Sequence, residues 1–178
     1  MTDDTKASNN NNNPPGTYTV ISTNDGSKQV EIHIELMRLA ILQAEMATPN
    51  DNAFNTGIII VNGMTPISEG HSRESNMNKH AAEIALIKAH NHSQNARLLV
   101  GSTMYTTMEP CSSKKVSKVP CTSLIIDAGI TTVVIGVKEP ESFVNCRGVD
   151  TLCAAGIHVI HLQLLQEECL KTNIHLLT

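Results

Sequence analysis

The chain has 178 residues, and its 13 basic and 17 acidic side chains give a formal net charge of −4. This balance argues against a broad nucleic-acid surface, which is basic. No apolar run approaches the roughly 20 residues that cross a bilayer. We therefore expect one domain of ordinary core size that binds neither nucleic acid nor membrane.

The first residues, Met1 to Gly16, form a polar, asparagine-rich segment without the basic and then apolar order of a secretory signal peptide. Such low-complexity sequence buries too little surface to fold, so we predict a disordered tail over residues 1–16 and a folded domain over 17–178. The odd number of cysteines, five, favours reduced thiols and a cytoplasmic protein.

The elements follow from apolar periodicity and turn residues. Helical spacing over residues 30–47 predicts a first helix, and Asn62-Gly63 between two β-prone runs predicts a hairpin. Helices and strands then alternate: helix 80–92, strand 102–108, helix 120–129, strand 131–137, helix 149–156 and strand 157–163. Residues 164–177 form a further helix or a tail.

This order predicts a three-layer α/β/α domain. Its central sheet is expected to be mixed and five-stranded, with an N-terminal hairpin and parallel later strands, because helices separate those strands along the chain.

Two cysteines, Cys111 and Cys121, each follow a proline, and their setting suggests either a metal site or a buried structural pair. Histidine nitrogen and cysteine thiolate both bind zinc, and three protein ligands with one open position are typical of a catalytic site. His80, at the start of the second predicted helix, completes such a set. Glu83 lies three residues later on the same helical face and is a candidate proton carrier.

These residues resemble a known signature. His80-Ala81-Ala82-Glu83 and the two later Pro-Cys pairs are similar to the His-x-Glu and Pro-Cys-spacer-Cys motifs of the zinc-dependent cytidine deaminase superfamily. The similarity extends over about residues 30–161 and is nearest to the pyrimidine deaminases of riboflavin synthesis, particularly the fungal branch.

The resemblance implies a cytidine-deaminase-like fold and a Zn²⁺ ion bound by His80, Cys111 and Cys121. It also implies hydrolytic deamination of a phosphorylated aminopyrimidine, 2,5-diamino-6-ribitylamino-4(3H)-pyrimidinone 5′-phosphate, in riboflavin biosynthesis. A homodimer is expected because superfamily members usually assemble. We expect a stand-alone deaminase, because a second long domain for the reductase is absent from the sequence.

One departure concerns the spacing of the first motif. The superfamily has one residue between the metal-binding histidine and the glutamate, whereas Ala81 and Ala82 both lie there in this chain. The extra residue rotates Glu83 by about 100° in an ideal helix. A local bulge at the helix start would absorb this rotation, and Glu83 remains the expected proton carrier.

Further residues are candidates for substrate binding. The resemblance implies contacts from Asn55 and from the backbone near Ala81. Arg73, Lys114 and Lys115 are candidates to bind the phosphate, with a solvated surface as the alternative for each. Glu109, before Pro110, is expected to fix its loop by accepting hydrogen bonds from backbone N–H groups.

Two alternatives to this function remain open. One is deamination of another base, such as cytosine, deoxycytidylate or tRNA adenosine, although the long cysteine spacer and the few basic residues argue against tRNA. The other is a zinc-stabilised scaffold module that lost catalysis when the glutamate shifted.

Overall fold

The computed structural model describes residues 16–75, 79–113, 119–138 and 146–176. Its strands are β1 Tyr18–Val20, β2 Gly57–Asn62, β3 Thr65–His71, β4 Thr103–Met108, β5 Thr132–Val137 and β6 His158–His161. Its α-helices are α1 Lys28–Glu45, α2 Ala81–Asn91, α3 Ser93–Leu98, α4 Cys121–Asp127, α5 Gly148–Ala154 and α6 Gln166–Leu170. Two 3₁₀ segments, Gln163–Leu165 and Lys171–Leu176, flank α6.

The strands form a single sheet in the order β1-β6-β5-β4-β2-β3. β2 is antiparallel to both β3 and β4, whereas β4, β5 and β6 run parallel. The predicted hairpin and parallel later strands are therefore confirmed. The predicted count of five strands is wrong by one, because the three-residue edge strand β1, which pairs with β6, is too short to show a period.

Alternation along β2 divides the core between the two faces of the sheet. Ile58 and Ile60 pack with α2, α4 and α5 on one face, and Ile59 and Val61 pack with α1 and α6 on the other. The three-layer arrangement is thus confirmed. Gly57, at the start of β2, allows the close approach of α1, because a Cβ at this position would lie 2.0 Å from the backbone oxygen of Ala40.

Several predictions fall outside the described residues. Residues 1–15 of the predicted tail lie there, as do Lys114 and Lys115, so these expectations stay predictions. Gly16, the last residue of the predicted tail, donates a backbone hydrogen bond to the Cys153 oxygen at 2.8 Å. Among the described helices, none combines the length and apolar character needed to cross a bilayer.

Candidate active site

Three chain segments converge at the carboxyl end of β4. β4 ends at Met108 and leads to Cys111, α4 begins at Cys121, and α2 begins directly after His80. The backbone N–H of Thr122 donates to the Cys111 oxygen at 3.2 Å, so the start of α4 is tied to the loop after β4. Ligands of open α/β sheets commonly bind at this edge.

The three predicted metal ligands lie together at this edge. His80, Cys111 and Cys121 each place one ligand atom within 4.8 Å of the others. The Nδ1 of His80 lies 3.3 Å from the Sγ of Cys121 and 3.5 Å from the Sγ of Cys111. Ordinary Zn–N and Zn–S bond lengths around a tetrahedral ion give roughly 3.5 Å between nitrogen and sulfur ligands. The donor types and their spacing therefore fit zinc.

Of the two cysteine thiols, Cys111 loses its proton readily and Cys121 retains its proton. The hydrogen bond from the Cys121 side chain, together with the weaker effect of His80, lowers the pKa of Cys111 to about 4. The same hydrogen bond, together with burial, raises the pKa of Cys121 well above its usual value. A divalent metal that binds here displaces the remaining thiol proton, because the thiolate is the ligand.

The three metal-ligand candidates lie on the wall of a cavity of about 540 Å³. This volume is within the range of about 300–1,000 Å³ that is usual for small-molecule sites. Other parts of the wall are Phe54 in the loop before β2, Lys79 before α2, and Leu176 in the last 3₁₀ segment. The site is therefore a concave pocket beside the three metal-ligand candidates.

Glu109 fixes the loop that carries Cys111. It is buried, with 6% exposure, and its Oε1 accepts a hydrogen bond from the backbone N–H of Val149 at 2.9 Å. The predicted loop-fixing role is thereby confirmed. Gly148 is required next to it, because a Cβ at that position would lie 2.2 Å from the Pro110 oxygen.

The start of α2 shows how the extra residue between His80 and Glu83 is accommodated. The backbone N–H of Ile84 donates to the His80 oxygen at 3.1 Å, which is a regular i→i−4 bond, and α2 is α-helical from Ala81. This described segment therefore contains no bulge. Of the described residues around α2, Ala82 lines the cavity and Glu83 does not.

Glu83 instead accepts a hydrogen bond from the Nζ of Lys79, and the two side chains are 25% and 20% exposed. Its charge still reaches the metal-ligand cluster. The pKa of Cys121 is raised first by the hydrogen bond with Cys111, then by burial, and to a smaller extent by Glu83. Glu83 therefore lies near the cluster but outside the cavity wall.

Two predicted substrate-binding residues have mainly internal partners. The Arg73 guanidinium donates to the backbone oxygens of Thr48 and Phe54 and to the Oδ1 of Asn55. Arg73 lines the cavity, but Asn55 is 3% exposed and is absent from the described part of the wall. Ala81, whose backbone is another predicted substrate contact, lines the cavity.

Arg73 also has a positive φ of 61°, an uncommon conformation for a residue with a side chain. Its four hydrogen bonds hold the loop over residues 48–55 against the end of β3. Sequence reasoning missed the contribution of the C-terminal segment, in which Leu176 lines the cavity and Asn173 is fully buried. No local motif marks these residues, since their partners lie far away in the sequence.

These features define the class of protein. Residues 30–137 match the family described as the cytidine and deoxycytidylate deaminase zinc-binding region. The match spans more than half of the chain, so the protein belongs to this family.

The more particular relatives are pyrimidine deaminases. The chain is 42% identical over 142 residues to the diaminohydroxyphosphoribosylamino-pyrimidine deaminase of Schizosaccharomyces pombe, covering 80% of this chain and 35% of that protein. It is 33% identical to the riboflavin biosynthesis protein RibD of Actinobacillus pleuropneumoniae, covering 79% of this chain and 35% of that protein. The chain thus spans about a third of the length of these curated relatives.

Solved structures agree with this relationship. The Aspergillus oryzae Rib2 deaminase has a TM-score of 0.69 and 29% identity, with 81% of this chain and 91% of that chain covered. The diaminohydroxyphosphoribosylaminopyrimidine deaminase/reductase of Thermotoga maritima has a TM-score of 0.73 and 30% identity, with 84% and 41% covered. Both support the cytidine-deaminase-like fold.

Proposed function

We propose that the protein hydrolytically deaminates 2,5-diamino-6-ribitylamino-4(3H)-pyrimidinone 5′-phosphate in riboflavin biosynthesis. The observation that carries this proposal is the grouping of His80, Cys111 and Cys121 on the wall of a 540 Å³ cavity. The relatives named as pyrimidine deaminases support it, as does a solved complex of the Aspergillus oryzae Rib2 deaminase with DARIPP.

The proposed cofactor is Zn²⁺, bound by His80, Cys111 and Cys121. When bound, zinc supplies a Lewis acid that activates water at neutral pH. The reaction joins the water oxygen to the amine-bearing ring carbon and releases the amine as ammonia. Protons must move from the water to a ring nitrogen and to the leaving amine, and we assign this transfer to Glu83.

The cavity wall supplies the binding contacts in this proposal. The backbone at Ala81 holds the ring, and Arg73 shapes the wall with four of its five N–H groups already bonded. Asn55 supports the wall through Arg73. Lys114 and Lys115 are assigned to the phosphate because ammonium groups bind it as point charges.

A substrate panel tests this function. Zinc-loaded protein is incubated with the phosphorylated diaminopyrimidine, its dephosphorylated form, cytosine and deoxycytidylate, and the released ammonia is measured. We expect the highest kcat/KM for the phosphorylated diaminopyrimidine. A higher value for deoxycytidylate or cytosine would assign the site to another base, and one bound zinc without any ammonia would favour a scaffold module.

We also propose that the chain works as a cytoplasmic homodimer. The odd number of cysteines, five, supports reduced thiols and therefore a reducing compartment. Leu39 and Leu42 on α1 and Met46 at its C-cap are 40%, 55% and 63% exposed. Their spacing places them on one side of the helix, which offers an apolar surface to a second copy. Light scattering should give the mass of two chains, and Leu42→Glu should reduce it to one.

A further inference from the structure

The first turn of α2 has a methyl group where the deaminase signature has a carboxylate. With one residue between histidine and glutamate, the signature glutamate falls at position 82 of this chain. Because α2 is regular from Ala81 onward, no insertion shifts the register, and Ala82 occupies that position. Ala82 is 3% exposed and lines the same cavity as the three metal-ligand candidates.

The neighbouring carboxylate is held elsewhere. Glu83 follows Ala82 by about 100° around the helix, and its Oε1 accepts a hydrogen bond from Lys79. The side chains of Lys79 and Glu83 are both more than half buried. Their hydrogen bond therefore opposes any movement of the Glu83 carboxylate toward the three metal-ligand candidates. Lys79 lines the cavity, and its ammonium group holds the Glu83 carboxylate.

Glu109 does not replace the missing group. Among the described cavity-lining residues it is the one with a carboxylate, but its Oε1 accepts the backbone N–H of Val149 at 2.9 Å. Its side chain also lies against Gly148, where there is no space for a further atom. Releasing it would loosen the loop that carries Cys111.

We infer that proton transfer is the weak step of this site: Ala82 leaves room for a carboxylate beside the metal ligands, and Glu83 works from a displaced position bound to Lys79. This inference rests on the proposed function. The overall reaction consumes one water, forms a C–O bond, breaks the C–N bond and releases ammonia. A carboxylate that moves the two protons is unchanged at the end, so it can come from position 82 or from solution.

The test compares Ala82→Glu with Ala82→Gln, which has the same size but cannot carry a proton. Zinc content and melting temperature establish that both variants are folded and loaded. We expect Ala82→Glu to raise kcat by about 10²-fold or more with KM little changed, since general acid–base catalysis contributes 10²–10⁴-fold. Ala82→Gln should give no increase.

A second test adds a small carboxylate to the wild-type protein. Formate added at increasing concentration should accelerate wild-type turnover and leave Ala82→Glu unaffected, because the added carboxylate occupies the space beside Ala82. Formamide is the matched neutral control and should have no effect. Rates that do not respond to formate, combined with an Ala82→Glu variant no faster than wild type, would overturn the inference.

A spectroscopic readout separates this inference from the proposed function. Cobalt replaces zinc, and the visible absorption bands report groups beside the metal. We expect Ala82→Glu to shift the bands relative to Ala82→Gln, whereas Glu83→Gln leaves the wild-type bands unchanged. Shifted bands in Ala82→Glu without ammonia from the diaminopyrimidine would reject the proposed substrate and keep the inference. If wild-type turnover were already fast, and Glu83→Gln both abolished it and shifted the cobalt bands, then Glu83 would already lie beside the metal. That result would overturn the inference.

Discussion

Asn55 and Asn173 lie 118 positions apart in the sequence and hydrogen-bond to each other twice. The backbone N–H of Asn55 donates to the Oδ1 of Asn173 at 2.6 Å, and the Nδ2 of Asn173 donates to the Asn55 oxygen at 3.0 Å. The Oδ1 of Asn55 also accepts from Arg73. This pair fastens the last 3₁₀ segment, which carries Leu176, to the loop that forms the cavity wall.

We therefore predict that Asn173→Ala lowers both stability and substrate affinity. The change leaves the buried N–H and C=O of Asn55 without these partners, at a cost of about 1–3 kcal/mol for such groups. For a domain of this size the melting temperature should fall by roughly 2–4 °C per kcal/mol, and KM should rise. Ile174→Ala, at an exposed neighbour, is the control. Equal effects of the two variants would mean that the link is unimportant.

The metal site predicts a selective loss of zinc. Cys111→Ala removes one of three proposed ligands, and elemental analysis should find most of the zinc lost from the purified variant. Cys146 also lines the cavity but is not in the ligand cluster, so Cys146→Ala is the matched control and should keep one zinc per chain. A full equivalent of zinc in Cys111→Ala would remove the proposed site.

We predict that Arg73 affects substrate binding indirectly, by holding the cavity wall in place. Arg73→Lys keeps the charge but loses the planar group that reaches Thr48, Phe54 and Asn55 together. We expect a lower melting temperature and a KM raised equally for phosphorylated and dephosphorylated substrate. The control is Arg38→Lys, because Arg38 forms an exposed ion pair with Glu168, and such pairs contribute little. A rise in KM confined to the phosphorylated substrate would identify Arg73 as a phosphate ligand.

The proposed phosphate contacts predict the opposite selectivity. Replacing Lys114 and Lys115 with alanine should raise KM for the phosphorylated substrate much more than for its dephosphorylated form, because only the former presents the anionic group. Increasing salt should narrow the difference between wild type and variant, since exposed charge interactions are screened. Equal KM changes for both substrates would place these lysines on the solvated surface.

Sequence patterns predicted those features that depend on neighbouring residues. The apolar periods located α1, α2 and the later strands, and the Pro-Cys pairs located two candidate metal ligands. The edge strand β1 was missed because three residues are too few for a period, and it is defined by its pairing with β6. The link between Asn55 and Asn173 was missed for a related reason, as it depends on tertiary folding.

The spacing of His80 and Glu83 shows a different limit. The sequence revealed the extra alanine, but whether a helix bulges or stays regular depends on packing. Ala82 and Ala85 lie in the core beside the sheet, and this packing is satisfied by the regular register of α2. The consequence for Glu83, its pairing with Lys79, therefore emerges only from the structure.

The central claim is that a metal held by His80, Cys111 and Cys121 enables this cavity to deaminate a phosphorylated aminopyrimidine. The most direct measurement follows ammonia release from the phosphorylated diaminopyrimidine by metal-free protein before and after one equivalent of zinc is added. The account predicts background release without zinc, slow turnover in wild type once zinc is restored, and faster turnover in Ala82→Glu. Equal ammonia release by metal-free and zinc-loaded protein would contradict the account. So would the absence of ammonia release from both the wild type and Ala82→Glu with zinc bound.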